Sequence, residues 1–136
     1  MAKSHELKLT AEIPPILKQW CEQITQNNPD EMLNFYAENA VLLGTLDPNL
    51  EVGHKGILKY FKMFFGKNVF KSVNIDFNVT QCGMENLVIT SGQYTFIAEK
   101  TNVTARYSFV FRRCLETGSW KIINHHSSLP APADEE

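Results

Sequence analysis

Apolar residues recur at helical spacing in the first half of the chain and switch to alternation in the second. Ile13, Ile16, Leu17, Trp20, Cys21 and Ile24 form one stripe and predict an amphipathic helix. It is expected to start near Thr10, with Pro14 and Pro15 in the first turn, where a missing N–H costs least. Asn27-Asn28-Pro29 ends it, and Asp30 is placed to cap a second short helix with Met32, Leu33, Phe35 and Tyr36 turned inward. Residues 40–46 read as a short strand and Asp47-Pro48-Asn49 as a turn. A third helix is predicted over 53–66. Its Ile57, Tyr60, Phe61, Phe64 and Phe65 fall at i, i+3, i+4, i+7 and i+8, and Gly66 is a candidate stop.

Four strand-like segments follow, at 69–81, 87–98, 103–114 and 119–128. They are separated by breaks at 82–86, 99–102 and 116–118. Short connections between consecutive strands imply an antiparallel meander. Helices confined to one side of such a sheet make an α+β fold. A long twisted sheet curls around those helices, and a pocket forms where they fail to fill the concavity. The reading is one domain over 1–130 and a flexible acidic tail over 131–136.

Composition adds exclusions. Of the 136 residues, 21% are charged and the formal net charge is −2, with no basic run longer than Arg112-Arg113, so neither nucleic acid nor an anionic membrane is an expected partner. No segment reaches the roughly 20 apolar residues that span a bilayer, and residues 1–8 carry no secretory pattern. Cys21, Cys82 and Cys114 are widely spaced and odd in number. They read as reduced thiols in a cytoplasmic protein.

The unusual chemistry lies at the end of the last strand, Asn124-His125-His126-Ser127-Ser128. Alternation puts Asn124, His126 and Ser128 on one face with Trp120 and Ile122, and His125 and Ser127 on the other. Parity alone does not say which face is concave. One reading is a polar strand end in solvent. The other puts one His and one Ser at a pocket mouth, where an imidazole with a pKa of about 6.5 takes a proton and a hydroxyl orients water or binds an oxyanion. A metal would need three or four converging ligands. His126 could meet His54 or Asp47, but no H-x-H, H-x-x-x-H or cysteine pair supports it, so no metal or other cofactor is expected. Gly44-Thr45 marks a second candidate, where glycine permits close backbone approach. Tyr60 sits on the aromatic helix, and Tyr94 and Phe96 share a strand face. Tyr107, Phe109 and Phe111 oppose Arg106 and Ser108 on the next strand, Arg106 being either solvated or a cation for a carboxylate. Asp76 is the only clear acid within the strands. Phosphate loops, nucleophile elbows and paired carboxylates do not occur.

The element order and the ending Trp120-Lys121-Ile122-Ile123-Asn124-His125-His126-Ser127-Ser128-Leu129-Pro130 resemble the NTF2-like superfamily, and within it the association domain of calcium/calmodulin-dependent kinase II. The resemblance covers roughly residues 13–130. It implies a cone in which N-terminal helices pack on a strongly curved antiparallel sheet. Gly44-Thr45-Leu46, Tyr60-Phe61, Ala105-Arg106-Tyr107-Ser108-Phe109-Val110 and His-His-Ser-Ser further resemble the iota-class carbonic anhydrases, while Asp47-Pro48-Asn49 departs from the serine-containing loop of that class. That resemblance implies reversible CO2 hydration without a metal. Thr45, Tyr60, His126 and Ser128 would be catalytic, with His126 the base by its pKa. Phe61, Phe64, Tyr94, Arg106, His125 and Ser127 would line the substrate site. The alternative it implies is a non-catalytic association domain holding a small carboxylate or a partner protein. Another cone enzyme, an isomerase or cyclase, would need an acid inside the cone. A homodimer or larger ring is expected on either reading, since one apolar sheet face is left to cover.

Overall fold

The computed structural model describes residues 7–132, so most of the expected acidic tail lies outside the described residues. The elements are β1 (Lys8–Thr10), α1 (Pro15–Ile24), α2 (Pro29–Met32), a 3-10 turn (Leu33–Phe35), β2 (Tyr36–Leu43), β3 (Leu50–Val52), α3 (Gly53–Lys67), β4 (Phe70–Met84), β5 (Leu87–Ala98), β6 (Val103–Arg113) and β7 (Trp120–Ser128). The strands form one sheet in the order β1-β4-β5-β6-β7-β2-β3. The α+β class and the meander β4–β7 are as expected. The sheet, however, is mixed, because β2 runs parallel to β7.

Several boundaries moved for local reasons. Thr10 does not start a helix but ends β1, where it pairs with Thr80 of β4. The helix waits for Pro15, whose fixed φ suits a first helical position. Asn28, not Asp30, caps α2, its side chain accepting from the N–H groups of Asp30 and Glu31. The 3-10 turn then carries the chain into β2 at Tyr36, before the expected start of that strand. Gly66 does not stop α3, which runs on to Lys67.

The concave face carries the core. Helix α1 buries Leu17, Trp20, Cys21 and Ile24 there, and α3 buries Ile57, Tyr60, Phe61 and Phe64. An amide latch fixes the end of α1 to the sheet: Asn27 Nδ2 donates to the carbonyl of Phe70 at 3.0 Å, and Phe70 N–H donates to Asn27 Oδ1 at 2.9 Å. This side chain stands in for a strand neighbour at the start of β4.

Two bulges decide what faces inward. In β4 the register passes from Ile75↔Tyr94 to Phe77↔Gln93, leaving Asp76 unpaired. In β7 it passes from Ile122↔Phe111 to Asn124↔Val110, leaving Ile123 extra. An extra residue reverses the alternation beyond it. Ile75 therefore packs on the core while Phe77 and Val79 are exposed, and Asn78 and Thr80 turn in. Asp76 stays outside, accepting from Gln93 Nε2 and Thr95 Oγ1, so it places no acid inside the cone.

Gly92 lies opposite the β4 bulge, with the Tyr107 hydroxyl passing over it to donate to Asn78 Oδ1 at 2.6 Å. A Cβ there would lie 2.1 Å from the Phe77 carbonyl oxygen and 2.8 Å from the Tyr107 hydroxyl. Backbone cannot yield as a side chain can. Gly92→Ala is expected to cost about 2 kcal/mol by overpacking. Chemical denaturation measures it, and a change under about 0.5 kcal/mol, the surface range, would contradict the close approach.

Candidate functional site

Inside the cone a continuous polar chain crosses the aromatic core. Trp20 Nε1–H donates to the Tyr36 hydroxyl at 3.1 Å. That hydroxyl lies 2.9 Å from His125 Nδ1. On the other side of the ring, His125 Nε2 lies 3.1 Å from the Tyr94 hydroxyl, which donates to Ser127 Oγ at 2.6 Å. Ser127 Oγ meets Thr45 Oγ1, and the Tyr60 hydroxyl donates to the Thr45 carbonyl at 3.2 Å. All of these residues are buried. Trp20 stacks on Tyr94 with ring centroids 5.7 Å apart, and His125 stacks on Phe109 at 3.8 Å. Phe61, Phe64 and Phe96 complete the wall around a space of about 10 Å³, room for about one water.

The sequence expectation is corrected at its centre. His126 is exposed, and Ser128 and Arg106 lie with it on the outer face of the sheet, beside Phe77 and Val79. Unbroken alternation would have kept His126 with the buried Ile122. The bulge at Ile123 sends His125 and Ser127 inward instead. Thr45, Tyr60, Phe61, Phe64 and Tyr94 do come together as expected, and His125 and Ser127 join them. Arg106 pairs across the outer face with Ser128 and takes no part. Trp20 and Tyr36 were read from the sequence only as apolar-stripe residues. The available signal was that a buried Trp or Tyr needs a partner for its polar atom.

Gly44 makes room for the arrangement. A Cβ on it would stand 2.3 Å from the Tyr60 ring, so the glycine lets the aromatic helix lie against the Thr45 loop.

Electrostatically the site is neutral. Burial, with the neighbouring His126 adding to it, pushes the His125 imidazole down to about 3. Burial raises the phenols of Tyr36, Tyr60 and Tyr94 above their ordinary range. Tyr60 is raised further by the Asp47 carboxylate. A tyrosinate base at Tyr60 and a titrating imidazole are therefore both disfavoured here. Among the described residues, no three His, Cys, Asp or Glu side chains converge as metal ligands. His54, once a candidate to meet His126, donates from Nε2 to the Tyr36 carbonyl at 2.7 Å.

Residues 13–132 match the SnoaL-like domain. The chain belongs to the SnoaL-like family. Its fold is the NTF2-like cone. This SnoaL-like domain superposes on a solved domain from Xanthomonas campestris, assigned to the calcium/calmodulin dependent protein kinase II association type. The TM-score is 0.79 and the identity 27%, over 98% of this chain and 99% of that one. It also superposes on an NTF2-like protein of unknown function from Pseudomonas putida KT2440 (TM-score 0.70, 17% identity, 89% and 84% coverage). A third structure, from Parabacteroides distasonis ATCC 8503 and assigned as a ketosteroid isomerase, gives TM-score 0.73 at 16% identity, with 90% and 92% coverage. The last two carry the fold alone. Among curated proteins none matches. No helix in the described residues is long and apolar enough to cross a membrane.

Proposed function

We propose that this SnoaL-like domain hydrates CO2 reversibly inside the cone, through hydroxyl groups and without a charged base. The supporting observation is the buried chain that ends on Thr45, with Tyr60 holding the Thr45 backbone. The residue types resemble the iota-class carbonic anhydrases once His125 and Ser127 replace His126 and Ser128. CO2 is small, neutral and apolar, and suits walls of Phe61, Phe64 and Phe96. The space between them must widen to admit it beside a water.

A neutral site calls for a neutral reaction. The water oxygen attacks carbon while one of its protons passes to Thr45 Oγ1. Thr45 gives its own proton to the oxygen of CO2, and the carbon–oxygen π bond opens. The product is carbonic acid, which ionises after release, and Thr45 is restored. No ion is formed in a cavity that has no counter-charge for one. His125 holds the chain in place but carries no proton away, since its depressed pKa makes an imidazolium costly.

The test is stopped-flow CO2 hydration on the purified chain, with and without a strong chelator, alongside metal analysis. Hydration above the uncatalysed rate that survives chelation is the expected result. Hydration abolished by chelation would mean a metal site in place of the hydroxyl relay. No hydration in either condition would overturn the reading.

A second reading has its own support. The outer sheet face exposes Phe77 at 58% and Val79 at 48% around an open groove of about 420 Å³. The Xanthomonas structure, similar along the whole chain, is assigned as an association domain. On this reading the domain assembles with copies of itself through that face. Light scattering separates the two, since assembly through Phe77 would be lost in Phe77→Asp while hydration inside the cone would not.

A further inference from the structure

We infer that Trp20 sets the direction of every hydrogen bond from itself to Ser127, so that the Ser127–Thr45 hydroxyl pair keeps one hydrogen for the cavity and the site takes a ligand with an accepting oxygen. An indole N–H can donate and never accept. Its bond to Tyr36 therefore occupies a lone pair of that phenol. The phenol hydrogen then has one neighbour left, His125 Nδ1. If Nδ1 carried the hydrogen instead, Tyr36 would accept twice and its own buried O–H would have no acceptor, an arrangement folded proteins avoid. Nδ1 is thus the acceptor.

The rest follows by counting hydrogens. A neutral imidazole has one, and with Nδ1 bare it sits on Nε2 and is donated to the Tyr94 oxygen. Tyr94 donates to Ser127. Ser127 Oγ and Thr45 Oγ1 share one hydrogen bond in which either hydroxyl can donate. The pair brings two hydrogens to that one bond, so one of them is left over. The Tyr60 hydroxyl is already committed to the Thr45 carbonyl. Among the described side chains that line the cavity, the Ser127–Thr45 pair therefore offers the free donor, and an oxygen of CO2, bicarbonate or a small carboxylate is what it fits. The inference goes beyond CO2 hydration, because the polarity holds for any occupant.

Long-range 1H–15N correlation of the His125 ring, on the full chain at neutral pH, reads the tautomer without turnover. A protonated Nε2 and a bare Nδ1 are expected. The opposite tautomer would reverse the whole chain and overturn the inference, even if CO2 is hydrated. The expected tautomer with no hydration would instead sink the catalytic reading and leave this one standing. Sodium bicarbonate and sodium formate are the ligand probes. Each is expected to shift the Thr45 and Ser127 amide signals, and the double variant Thr45→Val/Ser127→Ala to weaken binding at least 10-fold. No shift with either probe, or equal binding by the variant, would overturn the assignment of an accepting ligand.

Discussion

Acidification from pH 7 to pH 4 is expected to cost the fold about 3 kcal/mol through His125 alone. The ring is fully enclosed by Trp20 of α1, Tyr36 of β2, Tyr94 of β5 and Phe109 of β6. None of these carries a negative charge to offset the burial of an imidazolium, and His126 beside it opposes one. The folded pKa is depressed to about 3, whereas in the unfolded chain the group titrates near its ordinary value of about 6.5. At pH 7 both states are neutral and the linkage contributes nothing. As pH falls below about 6.5, the unfolded state binds a proton that the native state refuses, so stability drops by up to about 1.4 kcal/mol per unit until the folded pKa is reached. Carboxylates titrate in part of the same window, so the measurement is a difference. Denaturant midpoints of the wild type and of His125→Gln are compared from pH 7 to pH 4. The variant should start less stable and lose less with acid. Equal slopes would mean that the native ring takes up a proton, and the neutral site described here would be wrong.

The same ring shows where sequence reasoning reached its limit. Local pattern found both faces of α1 and α3, the four meander strands, and the facing of Tyr94, Phe96, Tyr107, Phe109 and Phe111, because helical and alternating periods are set by each element's own geometry. The family resemblance, not local pattern, grouped Thr45 with Tyr60, and Gly44 signalled only that a close approach was allowed there. Local pattern left the facing of His126 and Ser128 open, and the resemblance assigned them to the pocket. Their outward placement, and that of Phe77, follows a single extra residue in each strand, Ile123 in β7 and Asp76 in β4. A bulge is a property of the pair of strands. It depends on how two registers meet, and neither Asp76 nor Ile123 announces it by residue type. The parallel neighbour β2 was hidden for the same reason: pairing with β7 is a long-range choice with no local signature. Trp20 and Tyr36 were hidden by their apolar bodies, which satisfy a helical or inward stripe while their polar atoms do other work.

Replacing the Thr45 hydroxyl carries the largest expected functional effect. Thr45→Val preserves shape and branching but removes the group that, in the proposed reaction, receives the proton of water and supplies one to CO2. Loss of a single well-placed hydroxyl or oxyanion donor in a dry site lowers turnover by about 100- to 1000-fold, about 3–4 kcal/mol of barrier. A drop of at least 100-fold in CO2 hydration, with an unchanged circular dichroism spectrum, is expected. Ser127→Ala should fall by about 10-fold, since it leaves the Thr45 hydroxyl present but no longer held by its neighbour. His126→Ala and Arg106→Ala, on the outer face of the sheet, should stay within about 2-fold, the scale of effects far from the reacting atoms. The pattern matters more than any one value. Catalysis at Thr45 and Ser127 with silence at His126 would follow the bulge at Ile123. Loss at His126 with Thr45→Val fully active would place the chemistry on the opposite side of the sheet, where the imidazole has solvent to take its proton away and the relay through neutral hydroxyls is not needed.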